Sequence, residues 1–167
     1  MIIKGKTRGF TLMELMIATS LFVILIAIAS GAFINTLRTQ RIITNLSESM
    51  NNVALAIEQI AREIRVGFSF EGGGKILEFI NSSGNGVTYE LRQQQDSDNS
   101  GIWRCENGSD CEFITSPEVN IDRLEFILRG NGSDREPPRV TILISVVGEK
   151  DIRVDLQTTI SSRIIDS

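Results

Sequence analysis

The apolar residues of the chain are unevenly spread and are densest near its start, in residues 15–34, which contain no charged side chain. A membrane-spanning helix needs about 20 such residues, because at about 1.5 Å per residue they cover the roughly 30 Å of a hydrocarbon core. The stretch therefore predicts a helix that crosses a membrane.

Beyond residue 34 the apolar residues become periodic. Their spacing alternates between three and four, which predicts an apolar stripe on a helix reaching about residue 66: Ile43, Leu46, Met50, Val53, Ile57, Ile60 and Ile64. The opposite face is expected to contact water: Arg41, Asn45, Glu48, Asn52, Glu58, Gln59, Arg62 and Glu63. Gly67 fits the end of the helix. We expect the stripe to pack on the chain's own sheet, and a coiled-coil seam is the alternative.

From Gly67 onward, short β-rich runs alternate with turns rich in Gly, Asn, Ser and Asp. The candidate strands are residues 75–80, 87–92, 101–104, 119–128, 139–147 and 151–160. Gly72, Gly73 and Gly74 lack the spacing of a phosphate-binding loop and predict a flexible connection. The whole pattern predicts an α+β fold in which a long N-terminal helix, half in the membrane and half amphipathic, packs on one C-terminal antiparallel sheet.

Charge excludes several classes of function. The formal net charge is −4, and the part after the apolar stretch is more acidic still, because Lys4, Lys6 and Arg8 precede that stretch. An acidic body lacks the clustered cations that bind phosphate backbones, so no direct nucleic-acid partner is expected. The chain has no histidine, the commonest general base and metal ligand. We expect neither an enzyme nor a cofactor.

Two features of the later sequence have candidate chemistry. Cys105 and Cys111 share a short polar loop, which in an exported segment predicts a disulfide; two unpaired thiols are the alternative. Asp96, Asp98 and Ser100 match the opening of a calcium-binding loop. That loop should place Glu at its twelfth position and lie between helices, and neither condition holds. A solvated hairpin turn is therefore preferred, with calcium binding as the alternative.

The first 34 residues have three interpretations. A plain signal anchor needs only a basic flank, which stays in the cytoplasm, and a spanning helix. A cleaved secretory signal needs small residues at its end, and Ala27 and Ala29 before Ser30 supply them. Either of these would make the chain a secreted or membrane-anchored β-rich binding module. The third interpretation rests on the residues immediately before the apolar stretch.

Gly9, Phe10 and Glu14, between the basic residues and the apolar stretch, resemble the prepilin signature of type IV pilins and type II secretion pseudopilins. The resemblance implies cleavage after Gly9 by prepilin peptidase, N-methylation of Phe10 and retention of the apolar helix. It divides the chain into a leader (1–9), a transmembrane segment (10–34), an amphipathic continuation (35–66) and an exported β-rich part (67–167).

The same resemblance implies location and partners. The protein would be a single-pass inner-membrane protein with a cytoplasmic N-terminus and a periplasmic or extracellular C-terminal part, which enters a filament on assembly. Its partners would be other pilins or pseudopilins, prepilin peptidase and an inner-membrane assembly platform. A carboxylate at the edge of a membrane span is unfavourable. Glu14 is therefore expected to pair with the Phe10 ammonium of an adjacent subunit; the alternative is hydration among the lipid headgroups.

A second resemblance is scattered over the exported part. Residues 56–65, 87–91, 101–104, 121–126 and 157–163 are similar to J-type minor pseudopilins and their pilus counterparts. This implies a minor subunit that primes filament assembly or sits at the filament tip. Ordinary amphipathic elements are the alternative explanation for these matches.

Overall fold

The structure, a computed structural model, describes residues 9–95, 97–130 and 136–163. The chain forms two compact units, the first being Met1–Arg41 and the second Ile42–Ser167. One helix, α1 (Leu12–Val66), contributes to both units.

In the first unit, α1 has no buried residue. Its large apolar side chains are exposed, among them Ile24 at 55 %. Its hydroxyl groups bond to the helix's own backbone, as when Thr19 donates to the Leu15 carbonyl at 3.0 Å and Ser20 to the Ile17 carbonyl at 2.9 Å. Such internal bonding suits a hydrocarbon environment, where water cannot satisfy polar groups. By length and composition α1 can cross a membrane, as the sequence predicts.

In the second unit, α1 buries one stripe: Val53, Ala56, Ile60, Ala61 and Ile64. The predicted amphipathic helix is therefore confirmed, with corrections at Ile43, Asn52 and Glu63. Asn52, expected on the water face, accepts a hydrogen bond of 3.0 Å from the Ser116 backbone N–H. Ile43 is 60 % exposed, because the β-rich part first meets the helix near Leu46, whose side chain lies beside Gly148. Glu63, expected on the water face, instead contacts the sheet.

In the part of the chain that the structure describes, eight strands form two antiparallel sheets. Sheet A has the order β1 (Phe68–Gly73), β2 (Ile76–Ile80), β3 (Gly86–Gln93), β4 (Ser100–Glu106) and β5 (Asp110–Phe113). Sheet B has the order β6 (Asn120–Arg129), β7 (Arg139–Val147) and β8 (Arg153–Ser161), and a short 3₁₀ turn, Glu149–Asp151, joins β7 to β8.

The α+β class is confirmed, but the prediction of one sheet is wrong. Within the described residues, the only backbone pairing between the two sheets is that of Gly74 and Phe126, which exchange hydrogen bonds of 2.8 and 2.7 Å. The reason lies at the end of β1, where Gly72, Gly73 and the following Gly74 all have positive φ. Their left-handed backbone turns the chain away before a longer ladder with β6 can form.

All six predicted strands are present, with ends that differ by at most two residues, and two strands are additional. The first, β1, includes two of the glycines for which a flexible connection was expected. The second, β5, has four residues.

The core draws side chains from α1 and both sheets, including Ile60, Tyr89, Phe126 and Ile142. Gly67 is required at the end of α1, because a Cβ there would come within 2.6 Å of the Phe79 ring.

Candidate assembly site and its anchorage

The candidate assembly site begins with the cap of α1. Thr11 precedes the helix, and its hydroxyl oxygen accepts a hydrogen bond of 3.2 Å from the Glu14 backbone N–H. This is half of a capping box, in which Thr is followed three residues later by Glu. The Glu14 carboxylate also lies in the first turn, where the helix dipole favours negative charge. The Thr-x-x-Glu spacing in the sequence already indicates this helix cap. The prediction from the sequence assigns Glu14 only an intersubunit role and does not include the cap.

Phe10 and Glu14 are both exposed, Phe10 at 80 %. Gly9 is exposed as well, and no atom outside its chain neighbours lies within 4 Å of its ideal Cβ position. Within the described residues, Glu14 forms no ion pair. The basic residues Lys4, Lys6 and Arg8 lie outside the described part of the chain. The structure therefore places Gly9, Phe10 and Glu14 together at an accessible helix start.

The combination of an exposed apolar helix and antiparallel sheets is the layout of a membrane-anchored, type IV pilin-like protein. Residues 4–30 match the family model of the prokaryotic N-terminal methylation motif, consistent with the type IV prepilin-like family. Pilin-like proteins are structural subunits, and this motif implies assembly with other pilins and processing by a peptidase. Comparison with curated proteins and with solved structures gives no match.

A second polar cluster anchors the end of α1 to sheet A. Arg104 of β4 donates from Nε to the Glu63 carboxylate at 3.1 Å and from Nη2 to the Glu106 carboxylate at 2.8 Å. The Tyr89 hydroxyl donates to the other Glu63 oxygen at 3.0 Å. The Arg104 side chain is only 11 % exposed, so its charge depends on these two carboxylates.

The electrostatics of the cluster follow from these contacts. Burial, followed by the charge of Glu63, raises the pKa of Tyr89. Partial burial opposes the charge of Arg104, but the bond to Glu106 and the charge of Glu63 outweigh it and raise its pKa. Arg104, with the Asn85 and Asn81 amides, lowers the pKa of Glu106. Arg104 and Glu106 thus keep their charges near neutral pH. No local sequence pattern pairs Glu63 with Arg104, which lies far along the chain.

Cys105 and Cys111 lie opposite each other in the register of β4 and β5, at disulfide distance. The predicted pairing is therefore supported. The next pair on the same face is Trp103 and Phe113, whose rings meet edge to face at 4.7 Å. Disulfide and aromatic pair together hold the short strand β5 against β4.

The calcium candidate falls on the turn between β3 and β4. Asp98 is exposed there, Ser100 begins β4, and Asp96 lies outside the described residues. The Ser100 backbone N–H donates to the Asn120 side-chain oxygen at 3.3 Å. Among the residues that the structure describes, no group of three or more His, Cys, Asp or Glu side chains is arranged to hold a metal ion. Residues 97–99 lie in the connection between β3 and β4, and calcium binding stays a prediction.

Proposed function

We propose that this chain is a minor pilin or pseudopilin of a type II secretion or type IV pilus-like filament, where it primes assembly or occupies the tip. The observation that carries the proposal is the combination, in α1, of a prepilin-type N-terminus with 30 initial helix positions at which no side chain is buried. Lipid covers such a surface before assembly, and neighbouring apolar helices cover it afterwards.

Processing by prepilin peptidase and N-methylation would act at the accessible start of α1. Gly9 and Phe10 precede Leu12, so the bond between them lies outside the helix. Cleavage there removes the basic leader, residues 1–9, and leaves Phe10 as the new N-terminus, whose methylated amine keeps its positive charge. N-terminal mass spectrometry of the mature protein tests this step. Methylated Phe10 is expected; a chain beginning at Ser30 would indicate the secreted module, and one beginning at Met1 a plain anchor.

In the filament, we assign Glu14 the role of ion-pair partner to the Phe10 ammonium of an adjacent subunit. Its exposure and the lack of an ion pair within the described residues support this role. A charge brought into an apolar bundle costs several kcal/mol unless it is paired, so the opposite charge on a neighbour offsets that cost.

The test is the amount of protein in sheared filaments relative to the membrane. Glu14→Gln keeps size and polarity but removes the charge, and it should reduce incorporation several-fold at unchanged membrane level. The cap survives in this variant, since Thr11 accepts from the backbone of residue 14. Glu48→Gln, an exposed acidic position in the second unit, serves as the control. Unchanged incorporation of Glu14→Gln would contradict the pairing role.

The minor role is supported by the scattered resemblance to J-type subunits and is tested separately. Immunogold labelling of filaments should mark one end, and deletion should abolish filament formation. Labelling spread evenly along the filaments would assign the chain to the major subunits instead.

A further inference from the structure

The two sheets of the second unit differ in how their edges are protected. A strand edge exposes unpaired backbone groups and normally carries a charge, a bulge or a short length that discourages pairing. In sheet A, β5 has four residues and carries Asp110 and Glu112. The other edge strand, β1, has an irregular register between Phe68 and Glu71 and continues into the Gly74 bridge to β6.

In sheet B, β8 is nine residues long and has no bulge, and its two charged residues, Arg153 and Asp155, lie at its start. It pairs with β7 without irregularity from Arg153 to Ser161, and among the described residues no strand pairs with its other side. It contains neither proline nor glycine, and its last six residues, 156–161, are uncharged. Its end is fixed, because Ser162 donates to the Gly67 carbonyl at 2.8 Å and the Arg163 N–H to the Arg65 carbonyl at 3.0 Å.

The hydrogen bonds at the two ends of β8 show which of its backbone groups face outward. Gly148 N–H donates to Ile152 at one end and Ser162 N–H to Pro138 at the other, so the even-numbered residues of β8 bond to β7. The odd-numbered residues therefore direct N–H and C=O to the open edge: Arg153, Asp155, Gln157, Thr159 and Ser161. Arg163, next in this series, is already occupied by Arg65.

We infer that the open edge of β8 binds an extended segment of a second protein, which adds a strand to sheet B. Only an extended polypeptide matches alternating donors and acceptors at the spacing of a strand. The uncharged stretch 156–161 selects a segment with little charge. Alternate apolar residues of that segment would continue the half-buried row of Val154 and Leu156 on the core-facing side.

The direction of α1 decides between a different protein and a second copy. Leu46 lies beside Gly148 near the start of β8, and Arg65 bonds to Arg163 beyond its end, so this part of α1 runs in the same direction as β8. Antiparallel pairing of β8 with β8 of a second copy would oppose the two helices. In the proposed filament the subunits share one orientation, so the second units of two copies are not related by the two-fold rotation that this pairing requires. This choice alone rests on the proposed function.

A synthetic peptide with the β8 sequence, residues 153–161, tests the edge because it is free of the helix. The peptide carries a fluorescent label and is added to the full chain in detergent micelles, where it should bind saturably. Antiparallel pairing places Gln157 of the peptide opposite Gln157 of the protein, so that no like charges face each other. N-methylation of the peptide at its odd-numbered positions removes the donors that face β8 and should abolish binding. N-methylation at the even-numbered positions should preserve it.

Variants of the protein provide the matched controls. Gln157→Pro removes one outward N–H without loss of a bond to β7, and it should weaken binding several-fold; Gln157→Lys is the second variant if the proline impairs folding. Ile127→Lys adds charge two strands away on the same face and should leave binding unchanged. Absence of saturable binding, or equal effects of the two methylation patterns, would overturn the inference. If the full chain forms a dimer and Gln157→Pro abolishes it, the partner is a second copy of the chain and not a different protein. These binding results are independent of the incorporation of Glu14→Gln into filaments, so failure of this inference can be distinguished from failure of the proposed function.

Discussion

The two parts of α1 have the same helical backbone but differ in the exposure of their side chains. In the first unit every described position is exposed, and the polar side chains bond back to the helix itself. In the second unit the helix buries a stripe that ends in Ile64 and carries Glu63 into an ion cluster with sheet A. The first part depends for its cover on lipid or other proteins, and the second on its own chain.

This contrast shows that one continuous helix can lie in two different environments when its side-chain pattern changes along its length but its backbone does not. An unbroken apolar surface suits a medium that is apolar on all sides, whereas a single stripe suits a helix with a sheet on one side and water on the other. Substitutions that are chemically identical should therefore have unequal effects on the two parts.

The largest difference is expected from isoleucine truncation. Ile60 is fully buried, so Ile60→Ala should lower the free energy of unfolding of the second unit by about 3 kcal/mol through lost contacts and a cavity. Ile24 is 55 % exposed in the first unit, and Ile24→Ala should change that free energy by less than about 0.5 kcal/mol. Denaturant unfolding of the full chain in one detergent measures both. Equal effects would contradict the division between the two parts.

An intermediate effect is expected at the ion cluster. Arg104→Met keeps most of the side-chain volume but leaves Glu63 and Glu106 without their cation, and it should cost about 2 kcal/mol. The matched control is Arg153→Met, because the ion pair of Arg153 with Asp122 is exposed and should contribute less than about 0.5 kcal/mol. If both variants unfold at the same denaturant concentration, the cluster does not anchor α1.

The smallest effect is expected from acid. Arg104, Asn85 and Asn81 lower the pKa of Glu106 from its ordinary value of 4.5. A carboxyl group with a lower pKa in the folded state stabilises the fold above its ordinary pKa and loses that contribution as the pH falls below it. Glu106→Gln should therefore reduce the drop in melting temperature between about pH 6 and about pH 3.5. Glu58→Gln, at an exposed position of α1, should leave the drop unchanged.

Much of this fold follows from the sequence, because helix and strand periodicities are local. The apolar stretch, the stripe from Met50 to Ile64 and the alternation in β7 are all read from neighbouring residues. Strand β1 is not predicted because its glycines are typical of a connection, and β5 is not predicted because its four residues are too few to show a pattern. Their pairing depends on β2 and β4, which lie elsewhere in the chain.

The residues of the candidate site also fall into two groups, those that a local sequence pattern predicts and those that it does not. Gly9, Phe10 and Glu14 follow from a short motif, and Cys105 and Cys111 from their spacing. The partnership of Glu63 with Arg104 and Tyr89 requires β3 and β4 to be in register beneath α1, which no local pattern specifies. The role of Thr11 is local and is visible once the spacing to Glu14 is considered as a cap.

The bonds from Ser162 and Arg163 to the end of α1 have a mechanical consequence. Tension that reaches the second unit along α1 passes through the covalent chain into β1, and through these bonds into β8. The pull is thus divided between the two sheets where the helix ends, and neither sheet has to resist it alone.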